Sequence, residues 1–220
     1  MKATKDNALF RNPSTSWLFD KILTKLTAIM TFIEKIKSCK KCDIRFHKPL
    51  VFGDIEKNKF VFLSEEPTKD ARDKDFFEYY LGTRKERFHN EWMPKLGINE
   101  DWLKNNVYIT HVYKCCSEVG KPERGKKCAQ CLTWLEKEKE YFRNGKIIIT
   151  FGRYALESLH LINHGSQKIT KIIKEKKTFS FAKSDIIPLL LPSRTNNRHI
   201  NKCREEIEYI LHKIRNLIHN

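Results

Sequence analysis

The sequence predicts an α/β protein: a three-layer α/β/α sandwich around a central four-stranded parallel sheet, with an additional N-terminal helix. Two observations carry that prediction. Four short apolar runs, "KFVFLS", "NVYITHVY", "KIIITFG" and "IIPLLLPS", have the near-continuous hydrophobicity of strands covered on both faces. Longer segments of helical spacing lie between and after them, and strand–helix alternation is the pattern of helices layered on a parallel sheet. At 220 residues the chain is long enough for one such core and a small appendage.

The elements follow in order. Residues 1–15 are polar and give no periodic signal. From Ser16 to Ile36, Trp17, Leu18, Ile22, Leu26, Ile29, Ile33 and Ile36 recur at the spacing of one helix face. The chain therefore divides into an N-terminal extension, 1–37, and an α/β/α domain, 38–220. Helical patterns fill the first inter-strand gap ("FFEYYLG", "FHNEWMPKLGI") and the second ("CLTWLEKEKEYFRNG", stopped by Asn144-Gly145). Two more follow the third and fourth runs, "RYALESLHLIN" and "HINKCREEIEYILHKIRNLI". The lysine-rich "KITKIIKEKKTF" reads as a surface segment facing a polyanion.

Charge narrows the partners. Lys and Arg number 43 against 27 Asp and Glu, a net +16, and the pI is near 9.5. Such an excess calls for a polyanion, nucleic acid in preference to an anionic membrane. No apolar stretch approaches the roughly 20 residues that span a bilayer. Lysines interrupt the N-terminal apolar run, which is a poor signal peptide, so a soluble cytoplasmic protein is expected. No obligatory protein partner is implied.

The seven cysteines are odd in number and come without an export signal, which argues against a disulfide framework. Two C-x-x-C pairs, "CKKC" and "CAQC", with Cys115-Cys116 between them, point instead to thiolates round a metal or cluster. On spacing alone, Cys39, Cys42, Cys128 and Cys131 form a Cys₄ zinc site.

Ligands of open parallel sheets bind beyond the carboxyl ends of the strands. Those ends carry Ser64-Glu65-Glu66-Pro67, Thr110-His111, Phe151-Gly152-Arg153 and the stretch Pro192 to Arg198. They are expected to converge on one cleft. Two adjacent carboxylates leaving a buried strand are suited to orienting water or stabilising a developing cation. The competing reading is a solvated turn, with Pro67 opening a helix.

The motifs also form an ordered series. C-x-x-C at 39–42 comes first. Ser64-Glu65-Glu66-Pro67-Thr68 then stands against G-E-A-P-G, and Thr110-His111-Val112-Tyr113-Lys114-Cys115 against T-N-x-x-K-C. Cys131 opens a helix, Phe151-Gly152-Arg153-Tyr154-Ala155 matches L-G-x-x-A, and Leu191-Pro192-Ser193 takes the place of H-P-S. From Ser38 to Lys213 this series resembles the uracil-DNA glycosylase superfamily, and within it the iron–sulfur type (family 4).

The resemblance implies a DNA glycosylase that flips a base out and hydrolyses its N-glycosidic bond. It implies a structural [4Fe–4S] cluster on Cys39, Cys42, Cys115 and Cys131, with zinc the alternative centre. Catalysis falls to Glu66, with Glu65 second, and to His111 at the base edge. Ser64 and either Phe76 or Phe77 would line the base pocket. Ser193, Arg194, Asn196, Asn197, Arg198 and Lys114 would meet DNA, with Lys121, Arg124, Lys126 and Lys127 adding backbone contacts.

Two departures bear on specificity: His111 replaces the asparagine that reads uracil, and Leu191 replaces the histidine of H-P-S. A base other than plain uracil is therefore expected, either a deaminated purine or a bulky modified pyrimidine. The latter in phage DNA would make this a defence enzyme. The alternatives are an ordinary uracil-repair glycosylase, a non-catalytic DNA-binding protein of the same fold, or a zinc-dependent nucleic-acid-binding module.

Overall fold

The computed structural model describes residues 32–40, 49–67, 87–115 and 129–220. The chain separates into two units, Met1–Lys35 and Ile36–Asn220. Of the helix expected over 16–36 only the end is described; residues 32–37 are helical, and the rest lies outside the described residues.

In the larger unit the sheet has five strands among the described residues, not four. They are β1 (Phe60–Ser64), β2 (Val107–His111), β3 (Ile147–Phe151), β4 (Phe179–Phe181) and β5 (Ser184–Leu189), in the spatial order β2-β1-β3-β5-β4. β1, β2, β3 and β5 are parallel, as their apolar runs predict. β4 is antiparallel to β5 and corrects the four-stranded expectation. It has no continuous apolar run because it is a three-residue edge strand, and none of its residues is fully buried.

Helices cover both faces. They are α1 (Met93–Leu96), α2 (Glu100–Asn106), α3 (Ala129–Phe142), α4 (Arg153–Ser158), α5 (Ile169–Lys174), α6 (Asn197–Lys202) and α7 (Arg204–His219). A wide π turn, Phe88–Trp92, leads into α1, where the Met93 amide reaches back to Phe88 O. One sheet face, with Phe60, Phe62, Ile109 and Ile149, packs on Trp92, Leu96 and the apolar stripe Ile207, Ile210, Leu211 and Ile214 of α7. Strand alternation sends Tyr108 and Thr110 to the opposite face, where both reach Glu138 of α3. The result is three layers.

Local chemistry sets the helix ends. Asn99 caps α2 by accepting the Trp102 N–H at 2.8 Å. Gly97 follows α1 in the left-handed conformation. His219 Nε2 donates to Leu96 O at 3.1 Å, and Lys95 pairs with Glu208, so α7 closes the open end of α1. The last helical pattern of the sequence breaks in two at Cys203, whose φ of −123° is not helical. The lysine-rich stretch expected on the surface forms α5, with Ile172 and Ile173 fully buried and its lysines outward.

At the free side of β2, Phe52 and Ile109 exchange two backbone hydrogen bonds of 2.9 Å in an antiparallel bridge. Gly53 follows at φ +80°, so close to β2 that a Cβ there would strike the Val107 carbonyl oxygen.

β4 and β5 are joined by Ala182-Lys183, with Ala182 at φ +56°. An L-residue with a Cβ is strained there by roughly 1–2 kcal/mol. Ala182→Gly is expected to raise unfolding free energy by about 0.5–1 kcal/mol, the relief being partly offset by unfolded-state entropy. A denaturant titration that shows a lower midpoint for the variant would contradict this.

Candidate active site

Strand order decides where a ligand can sit. The chain moves from β1 outward to β2, then returns past β1 to β3 and on to β5. The order therefore reverses between β1 and β3, and the crevice of a parallel sheet opens at the carboxyl ends flanking such a reversal. Glu65 and Glu66 leave β1 there, and Gly152 and Arg153 leave β3.

Register aligns the exits in one row. Ser64 pairs with His111 on one side and Phe151 on the other, and Phe151 pairs with Leu189. Pairing continues past the strands: Val112 N–H donates to Ser64 O at 2.8 Å, Tyr113 N–H to Glu65 O at 2.9 Å, and Gly152 N–H to Leu189 O at 2.9 Å. The backbone beneath the two carboxylates is thus fixed. Both glutamates are half-buried and Pro67 is buried, so the segment is not the fully solvated turn of the competing reading. Gly152 has φ +91°, and a Cβ at this position would meet none of the described residues within 4 Å, so the space over the β3 exit is open among them.

His111 is buried, and its Nδ1 lies 3.2 Å from Leu50 O. Donation from Nδ1 to that carbonyl puts the lone pair of the neutral ring on Nε2. Ser64, 3% exposed, has a buried hydroxyl with no hydrogen-bond partner among the described residues. A buried unpaired hydroxyl costs about 1–3 kcal/mol. A polar group arriving at this row would supply a partner.

The loop after β5 is braced internally. Asn196 Nδ2 donates to Leu191 O at 3.0 Å and to Ser193 Oγ at 3.2 Å, and the Ser193 and Thr195 hydroxyls lie 2.9 Å apart. Asn196 therefore shapes the loop with its amide nitrogen. Asn197 and Arg198, at the start of α6, are exposed. Arg194 opens a short 3-10 turn, Arg194–Asn196.

One expected DNA contact is corrected. Lys114 is 1% exposed and cannot reach a phosphate. Its ammonium donates to Thr110 Oγ1 at 2.9 Å, to His111 O at 2.5 Å and to Glu138 Oε2 at 2.5 Å. Sequence reasoning missed Glu138, which reads as one more charge in the "EKEKE" run of a solvated helix. Tyr108 also bonds Glu138, and burial together with that carboxylate holds its hydroxyl well above the usual tyrosine range.

Cys39, Cys115 and Cys131 are thiols, not disulfides. Trp134, one turn beyond Cys131 on α3, directs its indole N–H to Cys39 Sγ at 3.4 Å, which brings Cys39 close to the start of that helix. The chemistry of this donor set fits a thiolate-bound centre. Among the described residues no three His, Cys, Asp or Glu side chains already surround a metal position. Cys42, Cys128, Phe76, Phe77, Lys121, Arg124, Lys126 and Lys127 lie outside the described residues. Among the described residues no helix is long and apolar enough to cross a membrane.

Removing the Ser64 hydroxyl separates its cost from its use. Ser64→Ala should leave unfolding free energy unchanged or raise it by about 1 kcal/mol. Denaturation of the variant at a clearly lower midpoint would mean that the hydroxyl has a partner after all.

Comparison with known proteins agrees with the geometry. The family model described as "Uracil DNA glycosylase superfamily" matches residues 50–215. A curated relative, the "Type-4 uracil-DNA glycosylase" of Archaeoglobus fulgidus, is 27% identical over 127 residues, which is 57% of this chain and 60% of that protein. The chain thus spans about three fifths of the relative's length.

Proposed function

Because the chain belongs to the uracil DNA glycosylase superfamily, we propose that it takes a base out of the DNA stack and hydrolyses its N-glycosidic bond. Extrusion costs a few kcal/mol and needs a pocket to receive the base. One observation carries the reading: the half-buried Glu65–Glu66 pair leaves β1 at the reversal of strand order, beside Ser64 and His111.

The chemistry follows from that position. As the bond from C1′ to the base nitrogen breaks, its electron pair leaves with the base and the deoxyribose turns cationic. A carboxylate close by stabilises the cation. Water adds to C1′ and passes a proton to the carboxylate, the departing base takes up a proton, and an abasic site remains. Glu66 is assigned to this work and Glu65 to supporting it. Ser64 and His111 meet the base edge, together with Phe76 or Phe77. Ser193, Arg194, Asn197 and Arg198 hold the DNA, on a loop that Asn196 shapes.

Cys39, Cys42, Cys115 and Cys131 would hold a [4Fe–4S] cluster, the Archaeoglobus protein being a type-4 enzyme by name. Its contribution when bound is structural. Zinc on Cys39, Cys42, Cys128 and Cys131 is the other outcome. Specificity for a base other than plain uracil rests on His111 and Leu191, which replace the family's asparagine and histidine. A modified pyrimidine of phage DNA is the substrate we favour, and antiviral defence the role that would follow.

The test is incubation with single- and double-stranded oligonucleotides carrying uracil or hypoxanthine, and with phage DNA rich in modified pyrimidines. Abasic-site cleavage and mass analysis of the released base give the readout. Glu66→Gln is expected to lower the rate by about 10²–10⁴-fold, and a variant at the wild-type rate would overturn its assignment. Ordinary turnover of uracil would overturn the altered specificity alone.

Three further outcomes are expected. Arg198→Ala should reduce the salt dependence of DNA affinity by about one unit of slope. Asn196→Ala should weaken binding with the slope unchanged, since no charge is lost; binding curves at several salt concentrations distinguish the two. Purified protein should be brown and contain iron, whereas colourless protein holding zinc would decide for the other centre.

A further inference from the structure

The closed polar network beneath the sheet does something that neither the fold nor the chemistry of excision requires. Lys114 has three N–H donors, and three acceptors meet them: Thr110 Oγ1, His111 O and Glu138 Oε2. Glu138, 0% exposed, accepts in addition from Tyr108 OH at 2.5 Å and Thr110 Oγ1 at 2.8 Å. Every polar group in the cluster is matched.

Such a cluster is poor evidence of a stabilising role. Removing two charges from water costs nearly as much as their attraction returns, and well-packed apolar replacements often equal or exceed a buried pair. What a buried, fully matched pair does provide is a fixed geometry. Here it joins two elements with different loads. Lys114 grips the turn that leaves β2, which carries His111 on one side and Cys115 on the other. Glu138 lies on the inward face of α3, seven residues and about two turns beyond Cys131, with buried Leu135 between. The same turn is tied to the β1 exit by Val112 N–H to Ser64 O and Tyr113 N–H to Glu65 O, and to Leu50 through Leu50 N–H to Lys114 O at 2.9 Å.

We propose that the Lys114–Glu138 pair is a positioning device: it sets α3 against the β2 exit turn, fixing Cys131 relative to Cys115 and holding His111 in the site row. Tyr108 and Thr110 complete it by holding the carboxylate in one orientation. The cysteine half of this inference stands on the thiols themselves; the His111 half rests on the proposed glycosylase reading.

The experiment replaces the whole network at near-constant volume, so that no buried partner is orphaned: Tyr108→Phe, Thr110→Val, Lys114→Met and Glu138→Leu in one chain. The expected variant is folded by circular dichroism and melts no lower than the wild type. Its bound metal per chain should fall about tenfold or more, the range seen when groups behind metal ligands are removed. In metal-stripped protein, Cys131, buried in the native chain, should react with a thiol reagent about tenfold faster in the variant. Excision should lose kcat with KM little changed. A second variant, Glu138→Asp, keeps charge and polarity but withdraws the carboxylate by one methylene, and should move the same readouts in the same direction.

A folded quadruple variant with native metal content, native thiol protection and native kcat would overturn the proposal. Failure of the quadruple variant to fold would also overturn it, since the pair would then be a stability element. Metal and thiol readouts are taken without DNA. A wild type inactive on every base would therefore sink the glycosylase reading and leave the cysteine half to be judged on those readouts.

Discussion

Everything at the candidate site depends on the in-register parallel pairing of β1 between β2 and β3. Register places Ser64, His111, Phe151 and Leu189 in one row. A slip of one residue would turn Ser64 and His111 to the other face and expose the core side chains of all three strands. Burial on both faces penalises that slip through every residue of the strands, so the row is held by the whole core. The site itself contributes little to its own alignment, which leaves its residues at liberty to be chosen for chemistry.

The same sheet keeps two different interiors. The face toward α7 is apolar, with Phe62 edge-on to both Phe88 and Phe151. The face toward α3 holds a charged pair with its own hydroxyl partners. A greasy layer tolerates small shifts of a helix along its axis, whereas a network of short directed bonds does not. The tolerant face supports the molecule, and the exacting face ties the β2 exit turn to the second half of α3.

The parallel core was legible in the sequence because strands covered on both faces must be largely apolar, and β1, β2 and β3 are buried throughout with their few polar residues near the carboxyl ends. The cysteine pairs and the acidic strand exit were legible because such residues rarely fall together by accident. β4 was not legible: an edge strand of three residues with one partner needs no hydrophobic run. Lys114 was misread for a related reason. Composition treats a lysine as a surface charge, and only a partner 24 residues away in the chain, Glu138, makes its burial tolerable in free energy. Local pattern cannot report a pairing between distant positions. The fold could thus be read in advance; the internal wiring could not.

The two flanks of the sheet bear on how the protein behaves in company. On one flank the Phe52 bridge occupies the Ile109 amide and carbonyl; on the other the brief antiparallel β4 closes the row. Among the described residues neither offers a second molecule a long ladder of vacant amides to copy. Edge-to-edge pairing of two such sheets would therefore start from only a short run of backbone groups.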